Sequence, residues 1–141
     1  NELFKLVIKT INRFMIKNFL VINCTGKNNS IALRINNNFF LKKLQTNMRS
    51  NELLVNNIYS FIKQKKANVD KNFSVIVNLG PGSFSSIRIA IAVAKGIKIT
   101  SGAKLYGYRD KDLANFNARN IGLLVKKKLI QNNLIKPVYL S

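Results

Sequence analysis

Histidine is absent from the 141 residues, cysteine occurs once, and the carboxylates number five: Glu2, Glu52, Asp70, Asp110 and Asp112. Without histidine there is no Ser-His-Asp or Cys-His catalysis, no imidazole metal ligand and no ordinary general base near neutral pH. One thiol cannot supply a disulfide framework or a cysteine-based zinc site. Five scattered carboxylates leave little with which to build paired-carboxylate or two-metal chemistry. A classical self-sufficient hydrolase is therefore not expected, and no catalytic, metal or cofactor site is assigned.

What is abundant is positive charge. Twenty-four Lys and Arg against five acidic residues give +19, and two readings of that number stand. One is a polyanionic partner, nucleic acid or an anionic surface. The other is compositional drift: the excess is mostly Lys, accompanied by abundant Asn and Ile as in an A+T-biased genome, with only six Arg, the better reader of phosphate and base edges. At 47% hydrophobic residues, the chain can bury the core of a single domain. Leu3 to Ile11 is apolar in patches but interrupted by Lys5 and Lys9, too short and too charged to span a bilayer. No membrane partner is expected, and the lone thiol fits the cytoplasm. Met15 stands directly before the first good strand, so residues 1–14 are expected to be an extension upstream of the natural start, or a frayed helix.

Phe19-Leu20-Val21-Ile22 is a continuous apolar run suited to a strand buried on both faces. After a polar turn from Thr25 to Asn29, Ile31, Leu33 and Ile35 alternate with Ala32 and Arg34, the period of a half-buried strand. Asn36-Asn37-Asn38 tolerates the left-handed backbone of a tight hairpin, and Phe39 to Leu44 returns as the third strand of an antiparallel meander. Ser50 is a candidate N-cap for a helix carrying Leu54, Ile58, Phe61 and Ile62. Phe73 to Val77 reads as a strand running into Gly80-Pro81-Gly82-Ser83, where Pro81-Gly82 suits a type II turn.

The helix predicted from about Phe84 to Thr100 carries two stripes. Ile89, Val93 and Ile97 are expected to pack on the chain's own sheet. Ser86, Ala90 and Ala94, with Gly96 nearby, form a small-residue stripe that would let another helix approach closely. Lys104-Leu105-Tyr106 reads as a strand, Asp110 to Phe116 as the start of a helix, and Ala118 to Gln131 as the last helix. Cys24, Tyr106 and Tyr108 read more plainly as core than as a reactive thiol or base-stacking rings. The order βββαβαβα specifies an α/β fold with a mixed sheet and flanking helices, matching the ribonuclease-H-like core of actin-like ATPase domains.

The junction Gly80 to Arg88 is neither a Walker A loop nor a nucleophile elbow, since no Gly-Lys-Ser/Thr follows and no histidine exists. A tight glycine turn is its plainest reading. However, Gly80-Pro81-Gly82-Ser83-Phe84-Ser85-Ser86-Ile87-Arg88-Ile89, continuing into Ala94-Lys95-Gly96, resembles the Gly-Pro-Gly-Ser-Phe-Thr-Gly-Val/Ile-Arg-Ile-Gly signature of the bacterial TsaB (YeaZ) family. Phe19 to Ser30, Asn51 to Leu54 and Pro137-Val138-Tyr139-Leu140 resemble further segments of that family. The resemblance implies a non-catalytic scaffold with an actin-like fold, supporting the TsaD subunit that transfers threonylcarbamoyl to the adenosine beside the anticodon of tRNA. It also implies a TsaE-like ATPase in the assembly and a helical-bundle interface, with TsaD or in a homodimer, on the two long helices. The residues carried over to that interface are Glu52, Leu53, Asn56, Ser83, Phe84, Ser86, Ile87, Ala90 and Ala94.

The departures are specific. Asn23-Cys24-Thr25 stands where the family has Asp, and Ser86 and Ala90 replace glycines. Ser141 replaces a terminal Arg, and most of a second domain is missing around Phe116 to Ala118. The expected organisation is an extension over 1–14, an actin-like domain over 15–116, and a remnant of the second domain over 117–141. A different class of reading is a stand-alone basic RNA-binding domain, with Lys126, Lys127 and Lys128 as candidate phosphate contacts and a solvated helix face as the plainer account. An ATP hydrolase is disfavoured by the absent phosphate-loop Lys and by Asn23.

Overall fold

The structure, a computed structural model, describes residues 1–14, 16–45, 51–127, 130 and 135–138. Its elements run α1 (Glu2–Phe14), β1 (Phe19–Asn23), β2 (Ser30–Ile35), β3 (Asn38–Lys43), α2 (Asn51–Gln64), β4 (Ser74–Asn78), α3 (Phe84–Ser101), β5 (Lys104–Tyr108) and α4 (Ala118–Lys126), with a single 3-10 turn over Asp110–Asp112. Ser50, Met15 and Lys128, assigned roles from sequence, lie outside the described residues, as do Tyr139 and Leu140 of the terminal motif.

The five strands lie in the order β3-β2-β1-β4-β5. β1, β2 and β3 form the antiparallel meander, while β4 lies parallel to both β1 and β5. Two asparagines make the β2–β3 hairpin, with Asn36 at φ 51° and Asn37 at φ 70°, the left-handed pair that a two-residue turn matched to strand twist requires. Strand pairing then falls in register, Arg34 opposite Phe39 and Ile35 opposite Asn38.

Helices cover both faces. Leu20, Ile22, Val75 and Val77 point into the core beneath α2 and α3; Phe19, Val21 and Ile76 point into a second cluster with Ile121 and Leu124 of α4. Alternation along each strand sends neighbouring side chains to opposite faces, so the unbroken apolar run of β1 is explained by cover on both sides. The same cover corrects the reading of β2 as half-buried: Ile31, Ala32 and Leu33 are all fully buried, because Ala32 faces the α4 side. Each such aliphatic chain contributes about 1.5–3 kcal/mol by burial.

Three other expectations need correction. Asp110 to Phe116 is not a helix: one 3-10 turn is followed by Leu113, which drops into the α4-side core. α4 stops at Lys126 rather than Gln131, and its N-cap is Asn117, whose Oδ1 accepts from Asn120 N at 2.8 Å. The turn at Gly80-Pro81-Gly82 is not type II, since the positive φ (93°) belongs to Gly80 and the Gly80-Pro81 bond is cis.

Candidate functional site

α2 and α3 lie side by side on one face of the sheet. α2 plants Leu54, Ile58 and Phe61 in the core. α3 lies mainly on β4 and ends where Gly102, at φ 79°, donates its N–H to the Lys98 carbonyl, a left-handed stop that glycine adopts at no steric cost.

The small-residue stripe of α3 is disposed opposite to expectation. Ser86, Ile87, Ala90 and Ala94 are buried at 6, 2, 0 and 0% exposure and pack within the chain's own core. Their small side chains do permit a close approach, but it is the approach of α3 to the bulky Val and Ile side chains of its own sheet. These four residues are therefore corrected as interface candidates. Val93 is buried in the same core and Ile89 and Ile97 pack half-buried against it, with Val93 and Ile97 also bordering the α2 side. Of the remaining candidates, Glu52, Asn56, Ser83 and Phe84 are exposed and Leu53 is half-buried against the core. The Arg88 guanidinium sits 4.9 Å from the Phe84 ring centroid.

Between the outer flanks of α2 and α3 runs an apolar groove of about 600 Å³, walled by Val55, Tyr59 and Ile62 on one side and Ala92, Gly96 and Ile97 on the other. Val55 is 46% and Tyr59 64% exposed. Gly96 forms part of its floor, and a Cβ placed there would meet nothing within 4 Å. Glu52, Leu53 and Asn56 do not line it. The groove residues were missed from sequence, although a signal exists. Apolar residues on both helices extend beyond the stripe that one buried face needs, as Val55 and Tyr59 do beside Leu54, Ile58 and Phe61.

The glycine motif has a structural task. The 80–83 loop is clamped against the 25–29 turn by Ser83 N donating to Thr25 O at 2.7 Å. A Cβ on Gly82 would lie 2.8 Å from Thr25 Cβ, and one on Gly26 2.7 Å from Ser83 Cβ. Beside this contact, Asn78 Nδ2 donates to Asn23 Oδ1 at 2.8 Å and to Asp110 Oδ1 at 3.0 Å, while Asn78 Oδ1 accepts from Gly80 N at 2.8 Å. Asn23 thus belongs to a hydrogen-bonded amide bridge between strand ends. Thr25, Lys27, Ser83 and Asp110 border a small pocket there; no cluster of three metal-ligating side chains occurs among the described residues.

Burial pushes the Cys24 thiol up to about 12, which leaves it unreactive at neutral pH. Tyr108 is core, as expected; its hydroxyl is buried with no hydrogen-bond partner among the described residues, and burial first, then the Asp110 charge, holds its phenol well above 10.0. Tyr106 packs half-buried against the same cluster. Lys126 and Lys127 are exposed at the end of α4.

A five-stranded mixed sheet of this order, with helices on both faces, is the ribonuclease-H-like, actin-like α/β fold. Among solved structures, YeaZ from Pseudomonas aeruginosa matches with a TM-score of 0.64 at 18% identity, over 76% of this chain and 51% of its own. An uncharacterized protein with similarity to the peptidase YeaZ from Pseudomonas aeruginosa matches at 0.61 and 19% identity, over 70% of this chain and 46% of its own. The chain thus spans about half the length of these structures. No family profile and no curated protein sequence matches it.

Proposed function

We propose that this chain is a TsaB-type scaffold: a subunit without chemistry of its own that docks a TsaD-like catalytic subunit of the tRNA threonylcarbamoyladenosine machinery, in an assembly that includes a TsaE-like ATPase. The observation that carries this reading is the apolar α2–α3 groove with its exposed Val55 and Tyr59, on a fold shared with YeaZ. A soluble domain that leaves an apolar channel open between two helices offers a seat for a partner. A helix laid into it would complete a bundle, its apolar side chains entering over Gly96, where the absence of a side chain permits close approach. Lys63, placed 5.9 Å from the centre of the Tyr59 ring, makes an acidic flank on that helix favourable. A second copy in the same groove is opposed by like charge at +19, which favours the heteromeric partner.

The test is co-purification with the TsaD-like protein of the same genome at ~0.3 M salt, where loose electrostatic contacts are screened. A stoichiometric complex that Tyr59→Ala weakens by about thirtyfold supports the reading, since aromatic anchors at interface centres carry about 2 kcal/mol or more. A complex indifferent to Tyr59→Ala and Val55→Glu, or no complex, overturns it.

A second reading, a stand-alone RNA-binding domain, is favoured by the +19 charge and by exposed Lys126 and Lys127. It predicts tRNA affinity that falls steeply with salt and with neutralisation of those lysines, and does not respond to the groove variants.

A further inference from the structure

α1 carries a cap at its first turn. Asn1 Oδ1 accepts from Leu3 N at 2.7 Å and from Phe4 N at 3.4 Å, so a side chain satisfies N–H groups that an uncapped first turn would leave bare. The helix is strongly two-faced. Leu3, Phe4, Val7 and Ile8 recur at the three- and four-residue spacing of one helical face, and Lys5 and Lys9 fall on the opposite one. Its described apolar side chains stand open to solvent: Leu3 is 67%, Phe4 65%, Val7 46% and Ile8 40% exposed. Such side chains left in water at this density need a second phase to enter.

We infer that α1 is a peripheral anchor that lies in the plane of an anionic lipid surface, its apolar face in the acyl boundary and its lysines at the headgroups. No helix among the described residues is long and apolar enough to cross a membrane, so this mode is lying on the surface rather than spanning it. Charge decides among the occupants. Nucleic acid would match Lys5 and Lys9 but offers no apolar phase for Leu3, Phe4, Val7 and Ile8. The α2–α3 groove of a second copy offers an apolar phase, but its rim carries Lys63 against Tyr59, and the whole chain stands at +19, so two copies repel. An anionic bilayer supplies both the apolar phase and the opposite charge. The sequence reading expects no membrane partner, because length and interrupting lysines exclude spanning; those same lysines are what an in-plane helix requires.

The experiment is sedimentation of the full chain with extruded vesicles, phosphatidylcholine alone or mixed with phosphatidylglycerol, at ~0.1 M salt. Leu3 and Val7 are exposed, so Leu3→Asp with Val7→Asp leaves the domain folded, checked by an unchanged thermal unfolding midpoint. The expected result is binding to the mixed vesicles, weakened more than tenfold by Leu3→Asp/Val7→Asp and more than tenfold by Lys5→Glu/Lys9→Glu. Equal binding by Leu3→Asp/Val7→Asp would overturn the inference, because the basic body alone would then account for adsorption. It is equally overturned if the mixed vesicles are not bound; loss of a concentration-dependent dimer or of RNA binding in the same variant would then assign the face to that occupant instead.

Discussion

Gly96 sits in the interior of α3, with ordinary helical backbone and a Cβ position that opens onto the groove. Glycine in a helix interior costs about 0.5–1 kcal/mol relative to alanine, because it orders more backbone freedom on folding. With nothing within 4 Å to resist the added methyl, Gly96→Ala should recover that amount intact. For a domain of this size the gain corresponds to ~2–4 °C in the unfolding midpoint. Thermal melts followed by far-ultraviolet circular dichroism, with urea unfolding at constant slope as a second reading, measure it directly. Gly96→Leu should remain folded for the same reason while its isobutyl group fills the channel. A midpoint that falls in Gly96→Ala would mean the groove is closed over in solution, and the argument for an open docking channel would fail at its base.

Other expectations follow from the same packing. Ala90 is fully buried under α3, so Ala90→Glu places an unpaired charge in the core and should cost about 3–5 kcal/mol or prevent folding, read by urea unfolding; mild destabilisation would show that α3 can turn this face to solvent. A Cβ on Gly107 would lie 2.6 Å from Leu79 Cδ1, so Gly107→Ala should cost about 1–3 kcal/mol by overpacking, whereas an unchanged midpoint would contradict the fit of β5 beneath α3. Tyr108→Phe removes a buried hydroxyl without a partner among the described residues and should leave stability within about 0.5 kcal/mol or raise it; a large loss in the same melt would reveal an unrecognised bond. Cys24 and Tyr108 both have folded-state pKa values raised by burial, Cys24 from 9.0 to about 12. Above pH ~9 the unfolded chain releases protons that the folded chain retains, so stability should fall with rising pH by about 1.4 kcal/mol per unit per group. Urea midpoints at pH 8 and 10.5 test this, and a flat profile, or one Cys24→Ala leaves equally steep, would refute it.

Much of the sheet was legible because its signals are local. The unbroken run of β1, the paired asparagines of the hairpin and the glycine that ends α3 each encode a conformation that few other residues adopt. The small-residue stripe of α3 was assigned to the wrong neighbour for a physical reason. Helical periodicity fixes which residues share a face, but the facing surface decides which face turns inward. Strands filled by Val75, Val77 and Ile22 leave room for Ser86, Ala90 and Ala94, and that choice lies in tertiary packing rather than in spacing. The groove escaped notice because half of it comes from α2 and half from α3, segments separated in sequence by β4. The segment after Asp110 was read as a helix from its composition, yet Leu113 is drawn into the α4-side core after one turn. The glycines of the 80–83 loop were legible as a motif, while their reasons, the positive φ of Gly80 beside Ile87 and the contact of Gly82 with Thr25 across the loop pair, required the fold.

The most direct test of the central claim is calorimetric titration of the chain and of Gly96→Leu with the TsaD-like protein of the same genome, at ~0.3 M salt. The account predicts saturable binding by the unaltered chain and affinity at least tenfold weaker for Gly96→Leu, with the variant's melting point undiminished. Equal affinity of the two proteins would show that the partner does not enter the α2–α3 groove, and would contradict the account.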